Sequence, residues 1–285
     1  MTDATVSGSI AAALEAPDQG ERIRVEAAGI PWSAITWGFP NARPLLLIHG
    51  VTSSATAWWR VGPALAAAGH RVTAVDQAGH GRTGHWQGHH RFRDNAADLA
   101  AFIRAAGLDR DDLQVVGHSW GAMSAAALPA AGLRPATIVL LDPPVLPFER
   151  IALEASDPSQ QPFPDLDRAI AAIHAAEPAW SDGDVRAKAE SILALDFEAA
   201  RAVLIENGDW DGGLADLRDP AAAGIDTWLI RGDPATGGYV DDEAADAFSA
   251  LIGADHVVTI AGSPHSPQRT HPIETVEAIL RALGH

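Results

Sequence analysis

Leu113-Gln114-Val115-Val116-Gly117-His118-Ser119-Trp120-Gly121-Ala122, running on through alanine-rich sequence to Ala131, is the stretch that decides how the chain folds. A short apolar run of β type enters it, two glycines bracket a serine at its centre, and a helical run leaves it. That strand–turn–helix setting is what a Gly-x-Ser-x-Gly motif needs if its serine is to stand exposed on a sharp turn. The five residues alone would be weak support. With glycine at 26 of 285 positions, chance supplies such a pattern about 0.1 times per chain. The flanking elements supply the rest. Gly117 and Gly121 leave room for a strained backbone at Ser119. The helix starting directly after it aims N–H groups and a positive dipole end at any charge developing there. Ser119 is therefore the expected nucleophile.

Outward from this stretch, short apolar runs recur at 45–48, 72–75, 113–116, 137–141, 227–230 and 256–260. Near-continuous apolar strands of this length suit a parallel sheet buried on both faces. Helical patterns alternate with them at 58–68, 95–106, 122–131, 241–252 and 273–283, several closing on a glycine. Two further strands, 22–26 and 32–37, are expected around a turn at Gly29-Ile30-Pro31. The sum is an α/β protein with a doubly wound, mostly parallel eight-stranded sheet, its ligand site beyond the carboxyl ends of the strands. Residues 1 to about 20 carry little pattern and read as a tail or lead-in helix. Between Pro143 and Arg218 the rhythm breaks: prolines cluster, then helical stretches follow at 184–195 and 198–206. This reads as a helical insertion without strands, dividing the core into residues 1–142 and 219–285.

A serine nucleophile needs a general base, and the base needs an orienting acid. In sheets of this type the three follow in the order serine, acid, histidine. His265 follows the last expected strand and is the expected base; His271 abuts Pro272 at a helix start, and His256 falls inside the strand. For the acid, Asp233 follows the 227–230 strand and is preferred, with Asp142, at the end of the 137–141 strand, as the alternative. Either could instead be a turn-forming aspartate before proline. Oxyanion donors are expected from the backbone N–H groups of Trp120 and Val51, with Gly50 allowing close approach. His49, beside Gly50, and His118 suit packing or loop-fixing better than catalysis. His49, Trp180 and Trp210 are candidates for the pocket wall.

Together, Leu-Leu-Leu-Ile-His49-Gly50, Val75-Asp76-Gln77-Ala78-Gly79-His80-Gly81-Arg82-Thr83, Gly117-His118-Ser119-Trp120-Gly121, Arg231-Gly232-Asp233-Pro234 and Gly262-Ser-Pro-His265-Ser resemble the α/β-hydrolase family over residues 44–142 and 226–284. The resemblance implies that 143–218 is a cap bounding the substrate pocket. It departs at two places: Thr83 stands where the family often has serine, and Gly232-x-x-Ala235 where it often has Gly-x-x-Asp. Serine at position 119 sets aside the haloalkane dehalogenases and epoxide hydrolases of this fold, which carry aspartate there. The expected reaction is hydrolysis of a carboxylic ester of a small or medium apolar substrate, through an acyl-enzyme and without a cofactor. Alternatives are lactone opening, carbon–carbon bond hydrolysis or cofactor-free peroxidase-like chemistry on the same triad, and a non-catalytic ligand-binding module.

Composition bounds the partners. A formal charge of −17 at pH 7 repels nucleic acid and anionic membranes, leaving a small molecule, with the chain as monomer or homodimer. No cysteine is present, which excludes disulfides and thiolate metal sites. His80, His85, His89 and His90 crowd one loop with Trp86, but no carboxylate falls at a ligand spacing, so a solvated loop is expected rather than a metal site. No basic start or long apolar run suggests a secretory signal or a membrane span, and a cytoplasmic protein is expected. The single lysine, Lys188, reads as a matter of composition rather than of mechanism.

Overall fold

A computed structural model describes residues 3–84, 88, 90–155 and 162–285. Its strands are β1 (Glu21–Ala27), β2 (Ile30–Trp37), β3 (Arg43–Ile48), β4 (His70–Asp76), β5 (Gln114–His118), β6 (Thr137–Leu141), β7 (Val145–Leu146), β8 (Trp210–Asp211), β9 (Asp226–Arg231) and β10 (Val257–Thr259). Eight of them form one sheet in the order β1-β2-β4-β3-β5-β6-β9-β10. The β1–β2 and β2–β4 pairs are antiparallel, and every other neighbouring pair is parallel.

The alternation inside one strand explains why the sheet is covered on both sides. Leu46 and Ile48 of β3 point into a core shared with α3 (Phe92–Ala105), α4 (Trp120–Ala127) and α10 (Asp242–Ile252), where they meet Phe102, Ala125 and Phe248. Leu45 and Leu47 point the other way, into a core with α2 (Val61–Ala67) and α12 (Pro272–Ala282), among Leu65, Val276 and Ile279. All four leucine and isoleucine side chains are fully buried, so the run shows no polar face. The N-terminal segment is helical, α1 (Asp3–Glu15), and Ile10, Ala13 and Leu14 rest on the second of these cores.

Three expectations need correcting. The turn between β1 and β2 lies at Ala28-Gly29, where both residues have positive φ (51° and 76°), the geometry that joins twisted strands in two residues. Proline at position 31 had drawn the turn toward itself, yet it sits in β2 opposite Glu26. His256 forms a short turn before β10 instead of entering the strand. Finally, residues 143–218 do contain strands: β7 and β8 pair as an antiparallel ribbon closing the two ends of the insertion. Two residues per strand are too few to leave an alternating pattern in sequence.

Within that insertion lie α5 (Phe148–Glu154), α6 (Leu166–Ala176), α7 (Asp182–Leu193), α8 (Phe197–Glu206) and α9 (Leu214–Leu217). Asp165, Ser181 and Asp196 cap α6, α7 and α8, each side chain accepting a hydrogen bond from an N–H in the first turn. Helices α6 and α7 pack through Ala169, Ile173, Val185 and Ala189. Helix α7 then docks on the loop after β3, where Ser191 Oγ and Ser54 Oγ lie 2.8 Å apart. Among the described residues no helix is long and apolar enough to cross a membrane.

Candidate active site

Strand β5 ends at His118 and α4 begins at Trp120, so Ser119 alone makes the corner, with φ 55° and ψ −125°. Such a backbone costs about 1–3 kcal/mol outside glycine and persists only where its surroundings hold it. Here they do. The Ser119 N–H donates to Leu141 O at 3.0 Å, and the Ser119 carbonyl accepts from Ala122 N–H. A Cβ on Gly117 would collide with the Gly121 carbonyl, and one on Gly121 with the Ile48 carbonyl, so only glycine lets α4 press against β3 and β5 this closely.

From this corner a relay of hydrogen bonds runs inward. Ser119 Oγ lies 2.9 Å from His265 Nε2, and His265 Nδ1 lies 2.7 Å from Asp142 Oδ2. With the Asp142 carboxylate accepting from Nδ1–H, the bare Nε2 is left to accept from the serine hydroxyl. Asp142 is fully buried and has φ 43°, a kink that turns its side chain toward the histidine. The carboxylate also accepts from Gly232 N–H at 2.9 Å and Tyr239 N–H at 3.0 Å. The Tyr239 ring stacks on His265 with centroids 4.0 Å apart. His118 Nε2 donates to the His265 carbonyl at 2.9 Å, so it holds the histidine loop; burial, then the neighbouring His265, keeps its pKa well below the usual 6.5.

Asp233, the preferred acid, does not reach His265. Its Oδ1 accepts from Ala235 N–H and its Oδ2 from Gly262 N–H, both at 2.9 Å. These bonds, with Gly262 first, lower its pKa and mark a turn-forming aspartate that staples the loop base. The physical reason is adjacency. Strand β6 pairs with β9, Leu141 opposite Ile230, so the two aspartates leave neighbouring strand ends. Asp142, with its positive φ, turns its carboxylate to His265, while loop N–H groups hold that of Asp233.

Opposite Ser119 stands the loop after β3. A Cβ on Gly50 would be 3.1 Å from Ser119 Cβ, so a side chain at position 50 would crowd the serine. His49 sets the tilt of that backbone. Its Nε2 accepts from Gln77 N–H at 3.0 Å, which leaves the proton on Nδ1 to be donated to Gly50 O at 2.8 Å. Ser53 N–H donates to the same carbonyl. Since N–H and C=O point oppositely across a trans peptide, pinning Gly50 O aims Val51 N–H the other way. His49 is thus fully buried behind the loop and does not line the cavity, contrary to expectation. Burial, followed by the neighbouring His80, keeps its pKa well below 6.5.

Sequence reading also missed the buried side chains that tie this loop to α4. Gln77 Nε2 donates to His49 O at 2.6 Å, and Asn95 Nδ2 donates to Gln77 Oε1 at 2.7 Å. Asn95 Nδ2 also donates to Ser124 Oγ at 2.6 Å, whose hydroxyl donates to Trp120 O at 3.1 Å. Gln77, Asn95 and Ser124 are all fully buried.

A cavity of about 500 Å³ opens over Ser119 and His265, walled by Val51, Trp180 and Trp210 among others. Residues from the insertion supply much of the wall, including Leu146, Ile151, Phe163 and Ile173. Trp120, by contrast, is wholly buried under α4's first turn. Three charged side chains unforeseen in the sequence also line the cavity: Lys188, Arg269 and Glu177. Burial of its ammonium, with Arg269 adding to the effect, pushes Lys188 down to about 7, and burial pushes Arg269 down to about 10. Partial burial raises the Glu177 carboxyl. Lys188 carried one signal, its being the only lysine; Arg269 carried none.

In the histidine-rich loop, His80 is buried with Nδ1 2.9 Å from Ala78 O, while its Nε2 meets Val51 O. His90 faces Glu206. His85, Trp86 and His89 lie outside the described residues. Among the described residues no three His, Cys, Asp or Glu side chains cluster as a metal site.

Residues 45–279 match the model of the alpha/beta hydrolase family. Lipase LipV of Mycobacterium tuberculosis is 30% identical over 257 residues, covering 84% of this chain and 93% of the lipase. Among solved structures, E-2-(acetamidomethylene)succinate hydrolase superposes with a TM-score of 0.78 at 23% identity, covering 93% of this chain and 99% of that one. An esterase of Mycobacterium tuberculosis superposes with a TM-score of 0.70, also at 23% identity, over 100% of this chain and 99% of its own. At that identity the two structures bear on the fold alone.

Proposed function

The chain belongs to the alpha/beta hydrolase family, and from that premise we propose that it hydrolyses a carboxylic ester of small or medium size through Ser119, His265 and Asp142. The observation that carries this reading is the unbroken relay from Ser119 Oγ through the imidazole to the buried Asp142 carboxylate. His265 Nε2 takes the serine proton as Oγ attacks the ester carbonyl, and Asp142 steadies the imidazolium that forms. Val51 and Trp120 N–H groups face the oxygen on which charge develops. The imidazolium then protonates the leaving alcohol. In the second half, His265 takes a proton from water, which attacks the acyl-enzyme and releases the acid. Residues 143–218 act as the cap that closes over the acyl or alcohol group, with Trp180 and Trp210 in its wall.

Ser119→Ala is expected to lower kcat on p-nitrophenyl acetate by about 10⁴-fold or more, with unchanged far-UV circular dichroism. A fluorophosphonate probe should label the wild type at Ser119. Undiminished turnover in the variant, or a probe that leaves Ser119 untouched, would sink the assignment, the latter in favour of a ligand-binding module.

A further inference from the structure

Lys188 and Arg269 take no part in the relay of Ser119, His265 and Asp142, yet both point charge into its cavity. Lys188, on α7, is the chain's only lysine. Two of its three protons go to Thr52, at 2.7 Å to O and 2.5 Å to Oγ1. Both acceptors are neutral. Arg269, on α11 (Pro267–Thr270), is 4% exposed and lies over the Trp180 ring, 4.5 Å from its centroid. Its NH1 donates to the backbone oxygen of Asp184 at 2.9 Å, and NH2 reaches Ser53 Oγ at 3.4 Å.

The carboxylates nearby offset this charge only in part. Asp184 Oδ2 accepts from Arg60 NH2 at 2.7 Å and Ser181 Oγ at 2.6 Å, and its Oδ1 accepts from Trp59 Nε1 at 2.9 Å. Its Oδ1 stands 4.0 Å from Arg269 NH1, an ion pair too long for a hydrogen bond. Glu177 lines the cavity but is solvent-exposed, where its field is screened. Three cations, Arg60, Lys188 and Arg269, thus face Asp184 and Glu177, leaving one positive charge over. A buried cation without a full counter-charge is unfavourable, and burial lowers the pKa of both groups. A fold that keeps such a charge beside its nucleophile has a use for it.

We propose that Lys188 and Arg269 bind a carboxylate carried by the substrate, so that the preferred substrates are esters bearing one free carboxylate. The proposal rests on the ester-hydrolase reading of Ser119 and specifies its substrate class. The subsite borders the reaction centre, because the loop carrying Val51 continues directly into Thr52 and Ser53. One excess positive charge calls for a monoanion rather than a phosphate dianion. The chain's −17 formal charge repels anions at long range, so the selection is made by these two side chains at contact distance.

The test compares kcat/KM for monomethyl succinate, glutarate and adipate with methyl butyrate, pentanoate and hexanoate. It makes the same comparison for the acetyl esters of hydroxy acids with alkyl acetates. The first series places the carboxylate on the acyl half, the second on the alcohol half. In at least one series the wild type should favour the anionic ester by about 10- to 100-fold, the scale of hydrogen bonds to a charged group. Lys188→Met and Arg269→Gln should each reduce that ratio at least tenfold. Because both rates come from one preparation, loss of folded protein cancels. Free butyrate, a monoanion, should compete with p-nitrophenyl acetate in the wild type and bind more weakly to Lys188→Met by calorimetry. A wild type that favours the neutral ester in every series, or a ratio untouched by both substitutions, overturns the proposal. Turnover of no ester, with butyrate still bound and lost in Lys188→Met, overturns the ester reading and leaves the anion subsite standing.

Discussion

Asp142 carries more of the site than its position in the chain suggests. A residue with φ 43° at a strand end is itself strained, and its carboxylate takes three donors while wholly buried. Asparagine there would keep the shape but lose the acceptor that fixes the histidine tautomer. Asp142→Asn is therefore expected to lower kcat by about 10³–10⁴-fold, whereas Asp233→Asn should change it less than about threefold because its bonds are to loop backbone. Steady-state kinetics on p-nitrophenyl acetate separates the two, and the opposite ranking would return the acid to Asp233. Neither result could have been foretold from spacing, since both aspartates precede proline at the end of a parallel strand.

At the level of elements, the loop after β3 and the first turn of α4 must keep register with each other to within a fraction of an ångström. They are joined not by packing alone but by the buried chain His49–Gln77–Asn95–Ser124–Trp120. Asn95 on α3 bridges its middle. Asn95→Ala should lower stability by about 1–3 kcal/mol, the cost of stranding buried polar groups. It should also lower kcat by about tenfold with KM little changed, since the N–H groups facing the developing charge would drift. Urea unfolding and initial-rate kinetics measure the two effects; a loss of stability alone would mean the chain merely packs the loops.

Across the whole molecule, several of the described histidines are buried, and burial disfavours their charged form. His49, His80 and His118 have lowered pKa values because of burial, and His70, against His285, is lowered to about 4 by burial and then by that neighbour. In the unfolded chain all titrate near 6.5. Below that pH the unfolded state binds more protons, so stability is full above about 6.5 and is lost as pH falls toward about 4. Urea midpoints should decline across that window. His70→Gln should flatten the slope, and parallel slopes for variant and wild type would show that the His70–His285 contact does not contribute.

What local chemistry could decide, the sequence decided. The two-sided burial of β3, β5 and β6 writes itself as unbroken apolar runs, and the Ser119 corner is one contiguous stretch. His265 was legible for a related reason: it follows the last strand directly, at the end of the sheet where ligands bind. Trp180 and Trp210 of the pocket wall were legible, but the choice between Asp142 and Asp233 and the charge in the cavity were not, because each depends on which elements lie side by side. β6 beside β9 offers two aspartates, and Asp142, with its positive φ, is the one that turns to His265. His49, read from sequence as loop-fixing and also as a pocket-wall candidate, fixes the loop through Gly50 O and Gln77 N–H and does not line the cavity. Lys188 had the look of an accident of composition until α7 docked on Thr52 and brought it beside Arg269, in a cavity that neither residue's neighbours in sequence could announce.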